Sequence, residues 1–183
     1  MDQFKLDIER ASKAIRDSRF VEALSFLESN LAKDPNHIDS LYFAAVCSRY
    51  LKNYKDSQNY LNNLLSQAPD MGRAYQELGH LCKAIGENEE AASHYRQACE
   101  LNPALIASWK SLFNYFNNRN NKAAAEHAHE QIKKLDSLPP ILLYISQILN
   151  EGRLAIAEQK CREFLKKNFV KNSYFIIIFK FFF

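Results

Sequence analysis

Glycine is scarce in this 183-residue chain: Gly72, Gly79, Gly86 and Gly152 are all of it. Loops that cradle a phosphate need several glycines close together, so that backbone N–H groups converge on the anion. None of the four falls in a GxxxxGK or GxGxxG pattern, and a nucleotide-binding core is not expected. Cysteine is sparse as well. Cys47, Cys82, Cys99 and Cys161 form no CxxC pair, and each sits inside a helical pattern; reduced, buried thiols in a cytoplasmic protein are the expectation. Long apolar runs are missing before the tail: "ILLYI" at 141–145 and "LYFAAVC" at 41–47 both fall far short of the ~18 residues of a membrane helix. The opening "MDQFKLDIERASKAIR" carries Asp2, Asp7 and Glu9 and lacks the apolar core of a secretory signal. Nor does charge of one sign accumulate. Lys and Arg interleave with Asp and Glu to a net charge of +3 and a pI of 8.6, which gives no footprint for nucleic acid or an acidic membrane surface.

Catalytic and metal-binding patterns are also wanting. His127 and His129 lie two apart on a predicted helix and point in different directions, whereas a metal pair there would want a spacing of three or four. His80 and His94 sit on different helices with no carboxylate or thiol companion nearby in sequence. Cys82 and Cys99 fall on core-facing stripes, where packing outweighs nucleophilic chemistry. No Ser/His/Asp or Cys/His arrangement follows from local spacing. The expectation is a non-enzyme with no cofactor and no metal.

What the chain does have is a period. Pro35, Pro69 and Pro103 are spaced by 34 and 34 residues, which divides it into repeats at about 4–37, 38–71, 72–105 and 106–137, with a fifth at 138–168. The third is the clearest: "GRAYQELGHLCKAIGENEEAASHYRQACELNPAL". Apolar residues at 75, 78, 81, 82 and 85 form one helical stripe, and those at 91, 92, 95, 98, 99 and 101 form another. Gly86 between them suits the left-handed residue that ends a helix, and Glu89 and Glu90 suit the first turn of the next. Gly79 and Ala91 let two helices approach closely, Tyr95 fills the space beyond, and Pro103 stops the second helix.

This repeat resembles the tetratricopeptide repeat. In one register it matches that family at Tyr75, Leu78, Gly79, Ala91, Tyr95, Ala98 and Pro103. The second repeat keeps Leu41, Ala44, Ala45, Leu61, Leu64 and Pro69 but has Ser57 where Ala is usual. The first keeps Ala11, Ala14, Ala23, Leu27 and Pro35 but has Asp7 and Arg10 at apolar positions, which suits a terminal cap whose outer face meets water. The fourth has Trp109, Leu112, Phe116, Ala125 and Ile132 and closes early at "DSLPP". The fifth keeps Gly152, Ala157, Cys161 and Phe164, then places Phe169 where Pro is due. The resemblance implies an all-α fold, a right-handed superhelical solenoid of about five antiparallel helix pairs.

In that family the first helices of the repeats line a concave groove that grips a peptide or a partner's helix. The corresponding positions are Asp39, Tyr42, Val46 and Arg49 in the second repeat. In the third they are Arg73, Gln76, His80 and Lys83, and in the fourth Ala107, Lys110, Asn114 and Asn117. The set is polar and net basic, which implies a protein or peptide partner, acidic or ending in a free carboxylate; the same residues also read as a solvated helix face. The full clamp pattern of chaperone-binding members is not present. A looser resemblance, resting on the junction "LDSLPP" and the repeat "ILNEGRLAIAEQKCREFL", is to the N-terminal region of bacterial tetratricopeptide–sulfotransferase proteins. It implies a recognition half that is inactive alone, cut off before a catalytic domain.

The tail, 169–183, breaks this grammar. From Lys166 to Phe183 every residue except Val170 and Ser173 is Lys, Asn, Phe, Tyr or Ile, all available from codons of A and T alone. A lost reading frame near codon 168 is the leading expectation. A last segment buried on the final repeat is the alternative, and a membrane anchor fits less well, because the run "SYFIIIFKFFF" is short and holds Lys180 in its middle.

Overall fold

The computed structural model describes residues 3–167, and among them there is only helix and connecting turn. The helices are α1 (Gln3–Arg16), α2 (Phe20–Leu31), α3 (Ile38–Tyr50), α4 (Tyr54–Gln67), α5 (Gly72–Ile85), α6 (Asn88–Leu101), α7 (Ile106–Asn118), α8 (Lys122–Asp136), α9 (Pro140–Asn150) and α10 (Leu154–Lys167). They form five consecutive helix pairs in two compact units, Met1–Leu101 with α1–α6 and Asn102–Phe183 with α7–α10. The tail that prompts the frame-loss reading lies outside the described residues.

Each pair turns back on itself through the same device. A left-handed residue stands between its two helices at Ser18, Lys52, Gly86, Asn120 and Gly152, at intervals of 34, 34, 34 and 32. In each case the amide of the residue that follows the left-handed one reaches back to close the last turn: Arg19 N–H to Ala14 C=O at 2.8 Å, Asn53 to Ser48 at 2.8 Å, and Glu87 to Cys82 at 2.9 Å. Asn121 to Phe116 (3.0 Å) and Arg153 to Ile148 (3.1 Å) complete the series. This is the Schellman arrangement, which satisfies carbonyls that a helix end leaves without partners. Only two of the five positions are glycine; Ser, Lys and Asn carry the same conformation elsewhere.

The small residues expected inside the second helices are buried in every pair: Ala23, Ser57, Ala91, Ala125 and Ala157 are each at most 6% exposed. Ser57 departs from the usual Ala without cost, because its hydroxyl donates to the Ala45 carbonyl at 2.9 Å and so is not left unsatisfied. In the first unit Leu41, Leu61, Leu64, Ala74, Leu78 and Leu81 form one core cluster, and Ala11, Ala14, Ala23, Leu27, Ala44 and Cys47 form another. In the second unit Leu142, Ile145, Ile148, Ala157 and Phe164 close α9 on α10.

One expectation is corrected. Asp7 does not face water but is 5% exposed, accepting from Gln3 Nε2 at 2.8 Å and pairing with Arg10 at 3.5 Å. Residues one turn away on the same helix face cover the carboxylate and satisfy it. No helix among the described residues is long and apolar enough to cross a membrane.

Candidate functional site

Within the first unit α3 packs against both α1 and α5, so the first helices of successive pairs lie side by side. On α5 the residues 73, 76, 80 and 83 are spaced three, four and three apart and share one face; on α3 the residues 39, 42, 46 and 49 do the same. Two of these residues meet across the helix boundary. The Arg73 guanidinium lies over the Tyr42 ring, 4.6 Å from its centroid, with its Nε and Nη2 buried, a cation–π contact. Gln76 is half-buried on the same face, and Lys83 is exposed in the last turn of α5.

Arg49 is occupied from within the protein. Its Nε donates to Glu77 Oε1, and its Nη2 lies 3.5 Å from Glu77 Oε2. The guanidinium also covers the Tyr50 ring at 4.4 Å, and that ring stacks on Phe20 at 4.4 Å with 4° between planes. The Arg49 side chain is 15% exposed and that of Glu77 only 4%. Burial pushes the Glu77 carboxyl above the usual carboxylate range, against the opposing pull of Arg49. Burial is the largest single influence on Arg49 and works against its charge, but the hydrogen bond to Glu77, the Glu77 charge and Tyr50 together outweigh it and hold the guanidinium above its ordinary value.

His80 is likewise engaged. Its Nδ1 is 2.7 Å from the hydroxyl of Tyr95 on α6, and Tyr95 is 2% exposed. Burial, then the charges of Arg49 and Lys83, bring the His80 imidazole down to about 4, so it is neutral at physiological pH and adds no charge to the groove.

Lys110 and Asn114 are on α7, in the second unit. Lys110 Nζ pairs with Asp136 of α8 at 3.5 Å, both side chains about half exposed, and Asn114 is exposed. Trp109 donates its Nε1–H to the Pro103 carbonyl at 2.9 Å and meets the ring of His127 edge-on at 5.6 Å. His129 lies against Phe113 instead, at 5.4 Å, and the two histidines form no pair.

The thiols are packed rather than activated. Cys47 is fully buried and pushed up to about 12 by burial and by the Glu77 carboxylate, the reverse of what a nucleophile needs. Cys82, Glu87 and Glu90 bring one donor atom each within 4.8 Å. Both glutamates are exposed at the start of α6, where the helix dipole already accounts for acidic side chains.

Glu77 was not legible as part of this site. A signal existed: the residue shares the buried stripe of Ala74, Leu78 and Leu81, and an acid in such a phase needs a cation within reach. Only the fold shows that the cation is Arg49, 28 residues away.

Comparison with known proteins agrees with this architecture. The tetratricopeptide repeat family profile matches residues 72–105. Heat shock protein STI1 of Saccharomyces cerevisiae is 30% identical over 83 residues, which is 45% of this chain and 14% of that protein. Among solved structures, MamA (residues 41 to the end) from Desulfovibrio magneticus RS-1 superposes with a TM-score of 0.61 at 19% identity, covering 74% of this chain and 76% of its own. The first tetratricopeptide domain of Spaghetti (RPAP3), bound to the HSP90 peptide SRMEEVD, superposes with a TM-score of 0.58 at 19% identity, covering 64% and 94%. These likenesses join the 34-residue period, the five pairs and the recurring left-handed turn. Residues 72–105 match the tetratricopeptide repeat, and the described residues fold as an all-α array of helix pairs of the kind these solved structures share.

Proposed function

We propose that the protein is a non-catalytic scaffold whose first unit binds an extended acidic peptide along the face of α3 and α5 that carries Tyr42, Arg73, Gln76 and Lys83. The observation that carries this reading is the Arg73–Tyr42 contact. It places a cation and an aromatic ring together where adjacent first helices meet, a pairing suited to a ligand that brings a carboxylate and an apolar side chain. Support from outside comes from the RPAP3 domain, whose bound peptide SRMEEVD carries three acidic side chains. Lys110 and Asn114, on α7 of the second unit, are proposed as peptide contacts of that unit by itself. The packed thiols and the neutral, hydrogen-bonded His80 fit a binding role rather than a chemical one.

Fluorescence polarisation with labelled SRMEEVD, alongside its amidated form and a version with Gln and Asn for Glu and Asp, tests this. Saturable binding with Kd in the ~10–100 µM range, weakened by salt and by the neutral peptide, is the expected result. Arg73→Gln and Lys83→Gln should each weaken it. Absence of saturation at ~1 mM peptide, or equal binding of the neutral peptide, overturns the proposal.

A further inference from the structure

Arg49 stands at a groove position by sequence and carries a full charge, yet its hydrogen-bonding edge is turned onto a carboxylate of its own chain. Glu77 reaches it from α5, the neighbouring first helix, and contacts both Nε and Nη2. Tyr50, itself stacked on Phe20, covers one face of the guanidinium. An arginine whose fork and face are both taken offers an incoming anion only its remaining exposed edge, 15% of the side chain.

The pairing is not explained by packing alone. An ion pair this deep loses hydration on both partners, and an apolar pair of similar volume is often as stable or more so. What Glu77 does is cancel one positive charge in a groove that otherwise gathers Arg49, Arg73 and Lys83. A ligand meeting this face finds a weaker cationic field than the residue types suggest, centred on Arg73 and Lys83.

We propose that Glu77 is the specificity-determining residue of the groove: an internal carboxylate that holds the anion-binding edge of Arg49 and so excludes ligand carboxylates from that position. The partner this fits places a carboxylate beside Arg73 or Lys83 and a neutral or apolar residue beside Arg49. Peptides with a carboxylate at both places are disfavoured. The inference rests on the peptide-binding reading for its ligand, but it concerns which cation answers.

The test uses the full chain and labelled SRMEEVD as probe. Glu77→Gln keeps an oxygen facing the Arg49 fork while removing the opposing charge. It should tighten the probe about tenfold or more and make the affinity fall more steeply with salt. The double variant Arg49→Gln with Glu77→Gln should lose that gain while circular dichroism shows the same helix content. Should Glu77→Gln fail to fold, the wild-type protein still decides the matter. In a titration followed by ¹⁵N NMR, the Arg49 Nε–Hε resonance should stay in place while the backbone amides of Arg73 and Lys83 move. Equal movement of Arg49 and Arg73, or a folded Glu77→Gln that binds no more tightly, overturns the inference. If the wild type binds no probe and Glu77→Gln does, the exclusion by Glu77 stands and the peptide-scaffold reading of the native chain falls. If neither binds, both fall.

Discussion

A Cβ atom placed on Gly79 would stand 2.6 Å from Cε1 and 2.7 Å from Cδ1 of Tyr95. The ring occupies the space a side chain on α5 would need, and it is fixed there by burial and by the 2.7 Å bond from its hydroxyl to His80. Gly79→Ala should therefore force the α5–α6 pair apart and destabilise the protein by ~1–3 kcal/mol, read as a lowered midpoint in urea. Replacing Tyr95 with Leu should itself cost stability, but adding Gly79→Ala to that variant should cost much less than in the wild type. Additive losses would mean that the ring is not the obstacle.

How much of this was readable in advance depends on what each feature requires of a residue type. Gly79, Ala91 and Tyr95 were legible because close helix approach demands small residues and a filler at fixed spacing. Gly86 was legible as a helix end. The equivalent turns at Ser18, Lys52 and Asn120 were not: the packed pair imposes the left-handed conformation, and these side chains tolerate it without announcing it. Asp7 was read as water-facing because a single sequence shows the charge and not the two neighbours that cover it. The groove positions on α3 and α5 follow from helical phase, and Tyr42 and Arg73 do meet. Their electrostatics did not follow, since Arg49 and His80 are both committed to Glu77 and Tyr95, partners fixed only by tertiary packing. The looser resemblance to a sulfotransferase's N-terminal region gains no support from the relatives named above.

The turn residues make a prediction of opposite signs. Gly86 has φ +90° and Lys52 has φ +64°, a region that costs a side-chain-bearing residue ~1 kcal/mol. Gly86→Ala should destabilise by ~1 kcal/mol, although no atom lies within 4 Å of the new methyl group. Lys52→Gly should stabilise by a few tenths of that, after the extra freedom glycine gains in the unfolded chain. Thermal melts of the two variants should shift in opposite directions; a shift in the same direction would show that backbone strain at these turns is not what the substitutions change.

Acid should loosen the first unit through His80. Its imidazole titrates near 4 in the folded protein and near 6.5 in the unfolded chain, so below about pH 6.5 the unfolded state takes up a proton that the folded state refuses. Stability is lost as pH falls from about 6.5 to about 4, by an amount on the order of 3 kcal/mol at the lower limit. Glu77 acts in the other sense: its carboxyl is raised on folding, so its contribution favours the folded state at low pH and fades as pH rises. His80→Gln, which keeps a polar group facing Tyr95 but cannot titrate, should flatten the loss between pH 6.5 and 4. An unchanged pH profile would remove His80 from the account.

In the second unit, Asn102 is fully buried and spends both ends of its amide on the chain around it. Its Nδ2 donates to the Gln147 carbonyl at 3.0 Å, its Oδ1 accepts from the Ala104 amide at 3.1 Å, and Gln147 Nε2 answers with a 3.0 Å bond to the Ala104 carbonyl. This ring of bonds ties α9 to the segment that opens α7, 45 residues earlier in the chain. Asn102→Ala would leave the Gln147 carbonyl and the Ala104 amide without those partners, at ~1–3 kcal/mol for each group left unsatisfied. The loss should be local. Amides of α9 should exchange faster in the variant while those of α5 and α6 keep their protection. Trp109, the single tryptophan, with its indole on the Pro103 carbonyl, should report an earlier fluorescence transition in denaturant. In the unsubstituted protein, residues 154–167 should already exchange faster than 88–101, because each repeat relies on the next for burial. Equal protection of the two helices would show that α9 and α10 hold together without a following neighbour.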